Sequence, residues 1–248
     1  MITVQHISGC VRRCLEDYDM VAPGDTIAVA LSGGKDSLTL LCALAELRRY
    51  FPIPYTLNAI TLDMGIPGMD FSPLSEFCKT LDVPHFIIPT HIYHLLFEER
   101  HEKNPCSLCA KLRRGALSRV LGERGIQKIA LGHHYDDAVE TFLLSLLFEG
   151  RLSCFQPVTY LSRSGITQIR PLLYVGEPTI QAAAKRLALP VVRNPCPANG
   201  YTKRQEVKEL LSNWEERYPG LRARIFGSIQ RLPLTGWAPK EKRRRPLP

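Results

Sequence analysis

The sequence predicts an α/β fold, with helices on both faces of a parallel sheet. Apolar runs with strand character alternate with helical stretches over residues 26–148, a pattern typical of strands joined by crossover helices. Two glycines separate the first strand from its helix, and Gly132-His133-His134 follows a later strand. Since loops that follow parallel strands meet at one edge of the sheet, these residues are expected to share one ligand site.

The elements are assigned in order from hydrophobic periodicity and from the positions of glycine and proline. A short helix over 7–20 comes first, and Glu177-Pro178 begins a late helix because proline suits the first helical turn. The predicted strands cover residues 26–31, 55–62, 84–88 and 128–131. The predicted helices cover residues 36–50, 72–80, 136–148, 177–187 and 202–231, with a helical insertion before residue 128. A β-hairpin over 154–172 turns near Ser164-Gly165.

The pattern divides the chain into three regions. Residues 1–152 form the α/β domain with the helical insertion, and residues 153–232 complete the fold as a small hairpin and helical region. Residues 233–248 combine several prolines with the basic run Lys240–Arg245, so we expect a disordered basic tail.

The composition indicates a globular protein with a polyanionic partner. The chain has 248 residues, 45% hydrophobic and 23% charged, and a formal net charge of +8, which suits RNA. No apolar stretch reaches the roughly 20 residues that cross a bilayer, and the N-terminus lacks the pattern of a signal peptide. We therefore expect a cytoplasmic protein with no membrane partner. In that compartment, eight cysteines predict thiols rather than disulfides.

The loop after the first strand has the composition of a phosphate-binding site. Residues 32–37 read Ser-Gly-Gly-Lys-Asp-Ser. Glycines allow the backbone to approach an anion closely, and the following helix supplies free N–H groups and the positive end of its dipole. The spacing differs from the Walker A motif, which needs four residues between its first glycine and Gly-Lys-Ser/Thr.

Three cysteines stand in settings suited to metal ligation. Cys106 and Cys109 form a C-x-x-C pair in the helical insertion, and Cys196 lies in the proline-framed turn 194–197. On spacing alone the three suit an iron–sulfur cluster, a zinc site with a fourth His or Asp ligand, or structural thiols. The other cysteines are expected to pack in the core.

Several motifs together resemble the tRNA 2-thiocytidine synthetases, a family of PP-loop ATP pyrophosphatases. Residues 32–37 resemble the PP-loop, and residues 132–137, Gly-His-His-Tyr-Asp-Asp, resemble a segment also seen in tRNA-lysidine synthetases. The discriminating part is the C-x-x-C pair with the later Pro195-Cys196. The likeness spans about residues 20–231 and includes residues 110–115, 140–141, 170–172 and 214–220.

The resemblance implies a Rossmann-like fold of the adenine nucleotide alpha hydrolase type and a specific reaction. Such enzymes use ATP and Mg²⁺ to adenylylate C2–O of a cytidine in the tRNA anticodon loop, at position 32 in the family, and sulfur then displaces AMP. The implied partners are tRNA and a sulfur donor, either a cysteine desulfurase or free sulfide, and a homodimer is a further expectation. The family's [4Fe–4S] cluster lies on three cysteines, which correspond here to Cys106, Cys109 and Cys196. Family members often carry another cysteine three residues later, where this chain has Asn199.

Each predicted site residue is assigned a role. Lys35 is expected to stabilise charge on the leaving pyrophosphate, whereas Arg113 and Arg114 grip tRNA phosphate or neutralise the oxyanion at the activated base. Adjacent on a helix, Asp136 and Asp137 point in different directions, so Asp136 is assigned to Mg²⁺ and Asp137 to catalysis and capping. Asp36 is expected to cap its helix and to hold Mg²⁺. Nucleotide contacts are assigned to Ser32, Gly33, Gly34, Lys35, Asp36, Ser37, Asp63, Gly132 and His133. Contacts with the tRNA backbone are assigned to Lys203, Arg204, Arg222 and Arg224.

Two other functions stay open at this point. A cluster-free PP-loop ligase of the lysidine-synthetase type would need no iron. A non-catalytic ATP-binding iron–sulfur sensor or sulfur carrier would release no AMP and pyrophosphate. The complete phosphate loop, with Lys35 and both serines, favours an AMP-forming tRNA sulfurtransferase over the sensor.

Overall fold

The fold is built on a six-stranded sheet, seen in a computed structural model that describes residues 4–100, 105–192, 195–196, 203–231 and 234–237. Its strands are β1 (Thr26–Ala30), β2 (Thr56–Asp63), β3 (His85–Pro89), β4 (Lys128–Ala130), β5 (Val158–Leu161) and β6 (Ile166–Ile169). Their order across the sheet is β3-β2-β1-β4-β6-β5. Only β5, of these strands, runs antiparallel to its neighbour. The predicted α/β fold with a parallel sheet is confirmed.

Helices connect and cover the strands. They are α1 (Val4–Asp17), α2 (Lys35–Leu47), α3 (Ser72–Thr80), α4 (Pro105–Glu123), α5 (Tyr135–Glu149), α6 (Glu177–Arg186), α7 (Lys203–Arg217) and α8 (Leu221–Arg231). A π-helical turn at His94–Glu99 precedes α4, which is the predicted helical insertion. None of the helices in the described ranges combines the length and the apolar content that a membrane crossing needs.

Hydrophobic side chains pack on both faces of the sheet. In β1, Ile27 and Val29 point into the larger core with α1, α2 and α5, whereas Ala28 points to the opposite face. There Val120 and Leu121, near the end of α4, cover it. The alternation follows from the two-residue period of a strand, and it confirms that helices lie on both faces.

The strand order has its switch point at β1. From β1 the chain builds β2 and β3 on one side, and it returns to place β4 on the other side. A crevice therefore opens beyond the carboxyl ends of β1 and β4, which is where parallel α/β sheets bind ligands. Residues 32–34 follow β1 at this edge, and residues 131–134 follow β4.

The predicted hairpin belongs to the main sheet. Strands β5 and β6 pair antiparallel around the turn at Ser164-Gly165, and β6 also pairs with β4 in parallel register. Ile166 and Ile169 of β6 are fully buried as a result. The C-terminal part of the chain thus extends the sheet instead of standing beside it.

The predicted helical stretch over 202–231 is divided into α7 and α8. The break lies at Pro219-Gly220, where Gly220 has a φ of 79°. Proline lacks the N–H that a helix needs and disfavours the helical conformation of the preceding residue, and glycine accepts the left-handed conformation. The two helices can therefore turn back on each other.

The predicted start of the disordered tail at residue 233 is too early. Trp237 is fully buried, its indole N–H donates to the Phe155 carbonyl at 2.8 Å, and its ring packs edge-on against Phe226 of α8. The large apolar surface of one tryptophan outweighs the local signal of the prolines. Residues 238–248, with the basic run, lie outside the described residues.

We predict that Trp237→Ala will lower the free energy of unfolding by about 3–5 kcal/mol, because the large buried ring leaves a cavity. Urea denaturation followed by far-UV circular dichroism measures the change. The second tryptophan is the control. Trp214 is 36% exposed, so Trp214→Ala should cost less than about 1 kcal/mol, and equal losses in the two variants would contradict the packing described here.

Candidate nucleotide and cluster site

The loop after β1 adopts a shape that requires glycine. Gly33 has a φ of 83°, and a Cβ atom at this position would lie 3.0 Å from Cβ of Val192. The Val192 N–H donates to the Gly33 carbonyl at 2.9 Å. The loop is therefore bound, main chain to main chain, to the segment that leads to Cys196.

Serine hydroxyls hold the loop from within. Ser37 Oγ accepts from the Ser32 N–H at 3.2 Å and donates to the Gly34 carbonyl at 3.0 Å. Gly34 is the N-cap of α2, so Asp36 lies in the first turn and the predicted capping by Asp36 is wrong. Glycine offers no capping side chain there, and the first N–H groups of α2 remain directed at the crevice.

The ammonium group of Lys35 lies between two carboxylates. Lys35 Nζ is 3.0 Å from Asp36 Oδ1 and 3.2 Å from Glu177 Oε1. Burial lowers the pKa of Lys35, but the two carboxylates outweigh it and the net pKa is raised. Lys35 is therefore a cation at the mouth of the loop, as an anion site needs. Glu177 is far from the loop in sequence, and no local pattern in the sequence connects the two.

Gly132 allows the end of β4 to pack against the start of α2. A Cβ atom at Gly132 would lie 3.2 Å from the Ser37 nitrogen and 3.3 Å from the Asp36 carbonyl carbon. Both neighbours are backbone atoms, which cannot move aside as a flexible side chain does. The predicted convergence of the two loops is thus a direct contact.

His133, the next residue, lies against aromatic and basic side chains. The imidazole ring of His133 packs against the ring of Phe155 at a centroid distance of 5.0 Å. The Arg170 guanidinium also lies over the Phe155 ring. Burial first, and then the Arg170 charge, lower the pKa of His133 to about 4. His133 Nδ1 is buried without a hydrogen-bond partner in the described part of the chain. The imidazole is therefore neutral near pH 7, and its contact with nucleotide stays a prediction.

The two aspartates of α5 have separate roles. Asp137 Oδ2 accepts from the His134 N–H at 3.0 Å, so Asp137 caps the helix as predicted. Asp136 is buried, and its two oxygens accept from the Glu177 N–H at 2.7 Å and from Arg222 Nη1 at 3.0 Å. Because both oxygens of Asp136 are already engaged, this arrangement favours a structural role for Asp136 over the predicted one in binding Mg²⁺.

The end of β2 lies at the same edge. Asp63 Oδ1 accepts from the Gly65 N–H at 2.9 Å, and the side chain is half-buried. The next residue, Met64, places its sulfur 3.9 Å from Cys109 Sγ. The predicted position of Asp63 at a strand end is observed, and the strand joins the nucleotide edge to the cysteines of α4.

The C-x-x-C cysteines lie in the first two turns of α4. Cys106 is exposed, whereas Cys109 and Cys196 are half-buried. Burial is the main cause that raises the pKa of Cys109, nearby Cys196 and Cys106 raise it further, and Arg113 opposes them. Cys109 is therefore within electrostatic range of both other cysteines. Arg113 and Arg114 are exposed on the same helix.

The remaining cysteines differ in setting. Cys14, Cys42 and Cys78 are buried in the core, and Cys10 and Cys154 pack partly against it, as expected. Burial raises the pKa of Cys42 and of Cys154 to about 12, so these thiols are poor ligands. Across the described residues, no group of three or more His, Cys, Asp or Glu side chains is placed to hold one metal ion. A cubane cluster differs from a single ion, because each of its thiolates binds a different iron.

Comparison with known proteins agrees with this geometry. A family model described as a PP-loop domain matches residues 7–213. A tRNA-cytidine(32) 2-sulfurtransferase from Alkalilimnicola ehrlichii is 39% identical over 242 residues, which cover 96% of this chain and 76% of the relative. The protein of that name from Dechloromonas aromatica is 36% identical over 230 residues, which cover 92% of this chain and 80% of the relative. The chain belongs to this 2-sulfurtransferase family.

A solved structure shares the fold. The U34-tRNA thiolase NcsA from Methanococcus maripaludis, determined with its [4Fe-4S] cluster, has a TM-score of 0.76 and 28% sequence identity. The match covers 92% of this chain and 78% of that chain. The suspected family and the Rossmann-like fold are thereby both confirmed.

In this member of the 2-sulfurtransferase family, the basic residues assigned to tRNA have intramolecular partners. Arg204 contacts Asp137 at 3.1 Å and Glu140 at 3.4 Å, and Arg222 is paired with Asp136. Lys203 pairs with Glu206, and Arg224 donates to the carbonyls of Tyr218 and Pro219. For Arg204 and Arg222, the sequence shows the charge but not the acidic groups of α5 that pair with them. These pairs hold Arg204 of α7 and Arg222 of α8 against α5, and the assignment of the four basic residues to tRNA stays a prediction.

We predict that Gly132→Ala will weaken ATP binding about tenfold, because the added methyl group pushes the start of α2 away from β4. Isothermal titration calorimetry measures the dissociation constant. Gly122→Ala, in α4 of the same protein, is the matched control. A Cβ at Gly122 meets open space within a helix, so this variant should bind ATP normally and gain up to about 1 kcal/mol of stability. Unchanged binding by Gly132→Ala would contradict the close contact.

Proposed function

We propose that this protein is an ATP-dependent, iron–sulfur-dependent tRNA sulfurtransferase that converts cytidine 32 of the anticodon loop into 2-thiocytidine. The observation that carries the proposal is the joining of a phosphate loop and three cysteines at one edge of the sheet. Val192 links Gly33 to the segment before Cys196, and Met64 links the end of β2 to Cys109. The names of the relatives supply the nucleotide that is modified.

The first half-reaction is adenylylation. The C2 oxygen of cytidine attacks the α-phosphate of ATP, a new P–O bond forms, and the bond to pyrophosphate breaks. Gly33, Gly34 and the first N–H groups of α2 are placed to bind the phosphates, and Lys35 is placed to neutralise the leaving pyrophosphate. The two serines hold the loop in the conformation that accepts phosphate.

The remaining nucleotide ligands follow from their positions at the crevice. Asp36, exposed on one side at the start of α2, is the carboxylate best placed to hold Mg²⁺ beside the phosphates. Asp63 at the end of β2 and the neutral His133 are assigned to contacts with the nucleoside of ATP. Asp137 contributes by fixing the start of α5.

In the second half-reaction a sulfur nucleophile attacks C2 and AMP leaves. The three thiols of Cys106, Cys109 and Cys196 fit a [4Fe–4S] cluster in their number, in their accessibility and in the electrostatic influence of the other two on Cys109. When bound, such a cluster supplies an iron with no protein ligand, which can hold the sulfur. Burial raises the pKa of Cys109, and the charge of Arg113 acts against that rise.

The partners follow from the charge and the substrate. Arg113 and Arg114 are exposed beside the cysteines, so they can bind the tRNA backbone near the reacting base. A cysteine desulfurase or free sulfide supplies the sulfur, in the cytoplasm where tRNA is modified. We retain a homodimer as part of the proposal, and analytical ultracentrifugation of the full chain tests it.

We predict that protein purified without oxygen will contain about four iron and four sulfide ions per chain, as a [4Fe–4S] cluster requires. Cys106→Ala, Cys109→Ala and Cys196→Ala should each abolish most of this content, measured by iron and sulfide assays and by EPR of the reduced protein. Cys10→Ala is the control, because Cys10 lies on α1 and should leave the cluster intact. Stoichiometric zinc in place of iron, or no metal, would refute the cluster.

We also predict that the cluster-loaded protein, with ATP, sulfide and tRNA, will release AMP and pyrophosphate and form 2-thiocytidine at position 32. Lys35→Ala should lower the rate by about 10²–10³, because the charge on the leaving group is no longer neutralised. Mass spectrometry of nucleosides and a pyrophosphate assay measure both products. Pyrophosphate release without thiolation or iron would favour a lysidine-type ligase. ATP binding without pyrophosphate release would favour a sensor or sulfur carrier.

A further inference from the structure

Glu177 connects the phosphate loop to the C-terminal helices. Its carboxylate is 15% exposed, with Oε1 at 3.2 Å from Lys35 Nζ and Oε2 at 2.6 Å from Lys208 Nζ on α7. Each oxygen therefore pairs with a different ammonium group. A carboxylate shared in this way joins two lysines that lie far apart in the chain.

The backbone of Glu177 is fixed as well. Its N–H donates to Asp136 Oδ2 at 2.7 Å, and Asp136 Oδ1 accepts from Arg222 of α8 at 3.0 Å. Pro178 follows in the first turn of α6, and Ile180 is fully buried. The side chain of Glu177 thus starts from a rigid point that α5, α6 and α8 hold together.

The environment keeps Glu177 ionised. Burial acts to raise its pKa, but the hydrogen bond from Lys208 and the charge and hydrogen bond of Lys35 together lower the pKa to about 2. The carboxylate therefore stays an anion throughout the physiological pH range. Such a group can orient a flexible lysine at all times.

Lys35 needs an orienting group because its four-carbon side chain is flexible. Its other carboxylate partner, Asp36, is also the group assigned to Mg²⁺, so a bound metal would compete for it. We propose that Glu177 is the positioning residue that holds Lys35 Nζ at the mouth of the phosphate loop, and that Lys208 of α7 acts through Glu177. The inference rests on the proposed adenylylation, for which Lys35 must meet the leaving pyrophosphate.

The test compares Glu177→Gln, which keeps the size of the side chain and removes its charge, with wild type. Positioning predicts that kcat for pyrophosphate release falls about 10- to 100-fold, while the KM for ATP changes less than about threefold. Lys208→Met should cause a smaller loss in kcat. The double variant should be no slower than Glu177→Gln alone, because Lys208 has then lost the group through which it acts.

Glu209→Gln is the matched control, since Glu209 is exposed on α7 and loses the same charge there. This variant should retain wild-type kinetics. Wild-type kcat in Glu177→Gln would overturn the proposal. Additive losses in the double variant would overturn the role given to Lys208.

A second measurement reads the position of Lys35 without activity. ¹⁵N relaxation of lysine ammonium groups, with Lys35 assigned by Lys35→Arg, should show an ordered ammonium in wild type and a mobile one in Glu177→Gln. An equally ordered Lys35 in both proteins would overturn the proposal. If wild type releases no pyrophosphate with ATP and tRNA, the proposed function fails, and ammonium relaxation still decides whether Glu177 holds Lys35.

Discussion

The close contact between the end of β4 and the first turn of α2 is the constraint on which the site depends. Strands β1 and β4 are parallel neighbours, so the chain segments that follow them leave the sheet side by side. Gly132 lets these segments meet at backbone distance. The segments that carry the phosphate loop and the start of α5 therefore take their relative position from that junction.

Charge holds the outer elements onto this junction. The acidic groups at the start of α5 and α6 accept from arginine and lysine side chains of α7 and α8, so the helices dock through paired, partly buried charges. Buried ion pairs cost desolvation and add little net stability, but removing one partner leaves an uncompensated charge. These ion pairs therefore fix where α7 and α8 dock on α5 and α6 more than they increase the free energy of unfolding.

Local signals allowed the sequence to predict most of the fold. The alternation of apolar runs, the glycines of the phosphate loop and Pro178 each act within a few residues of the elements that they specify. Groups brought together from distant elements were missed, because no local pattern encodes the contact of Glu177 with Lys35 or the pairing of Arg222 with Asp136. Trp237 was missed for a related reason, since its partner Phe155 lies on another part of the chain.

The link between Val192 and Gly33 uses only main-chain atoms. Any residue except proline can donate the same N–H, so the hydrogen bond itself does not depend on the side chain at position 192. Gly33 has no such freedom, because its backbone conformation suits glycine. A comparison of related sequences would therefore show Gly33 as invariant but would not mark position 192. Both residues are nevertheless needed to tie the phosphate loop to the segment that carries Cys196.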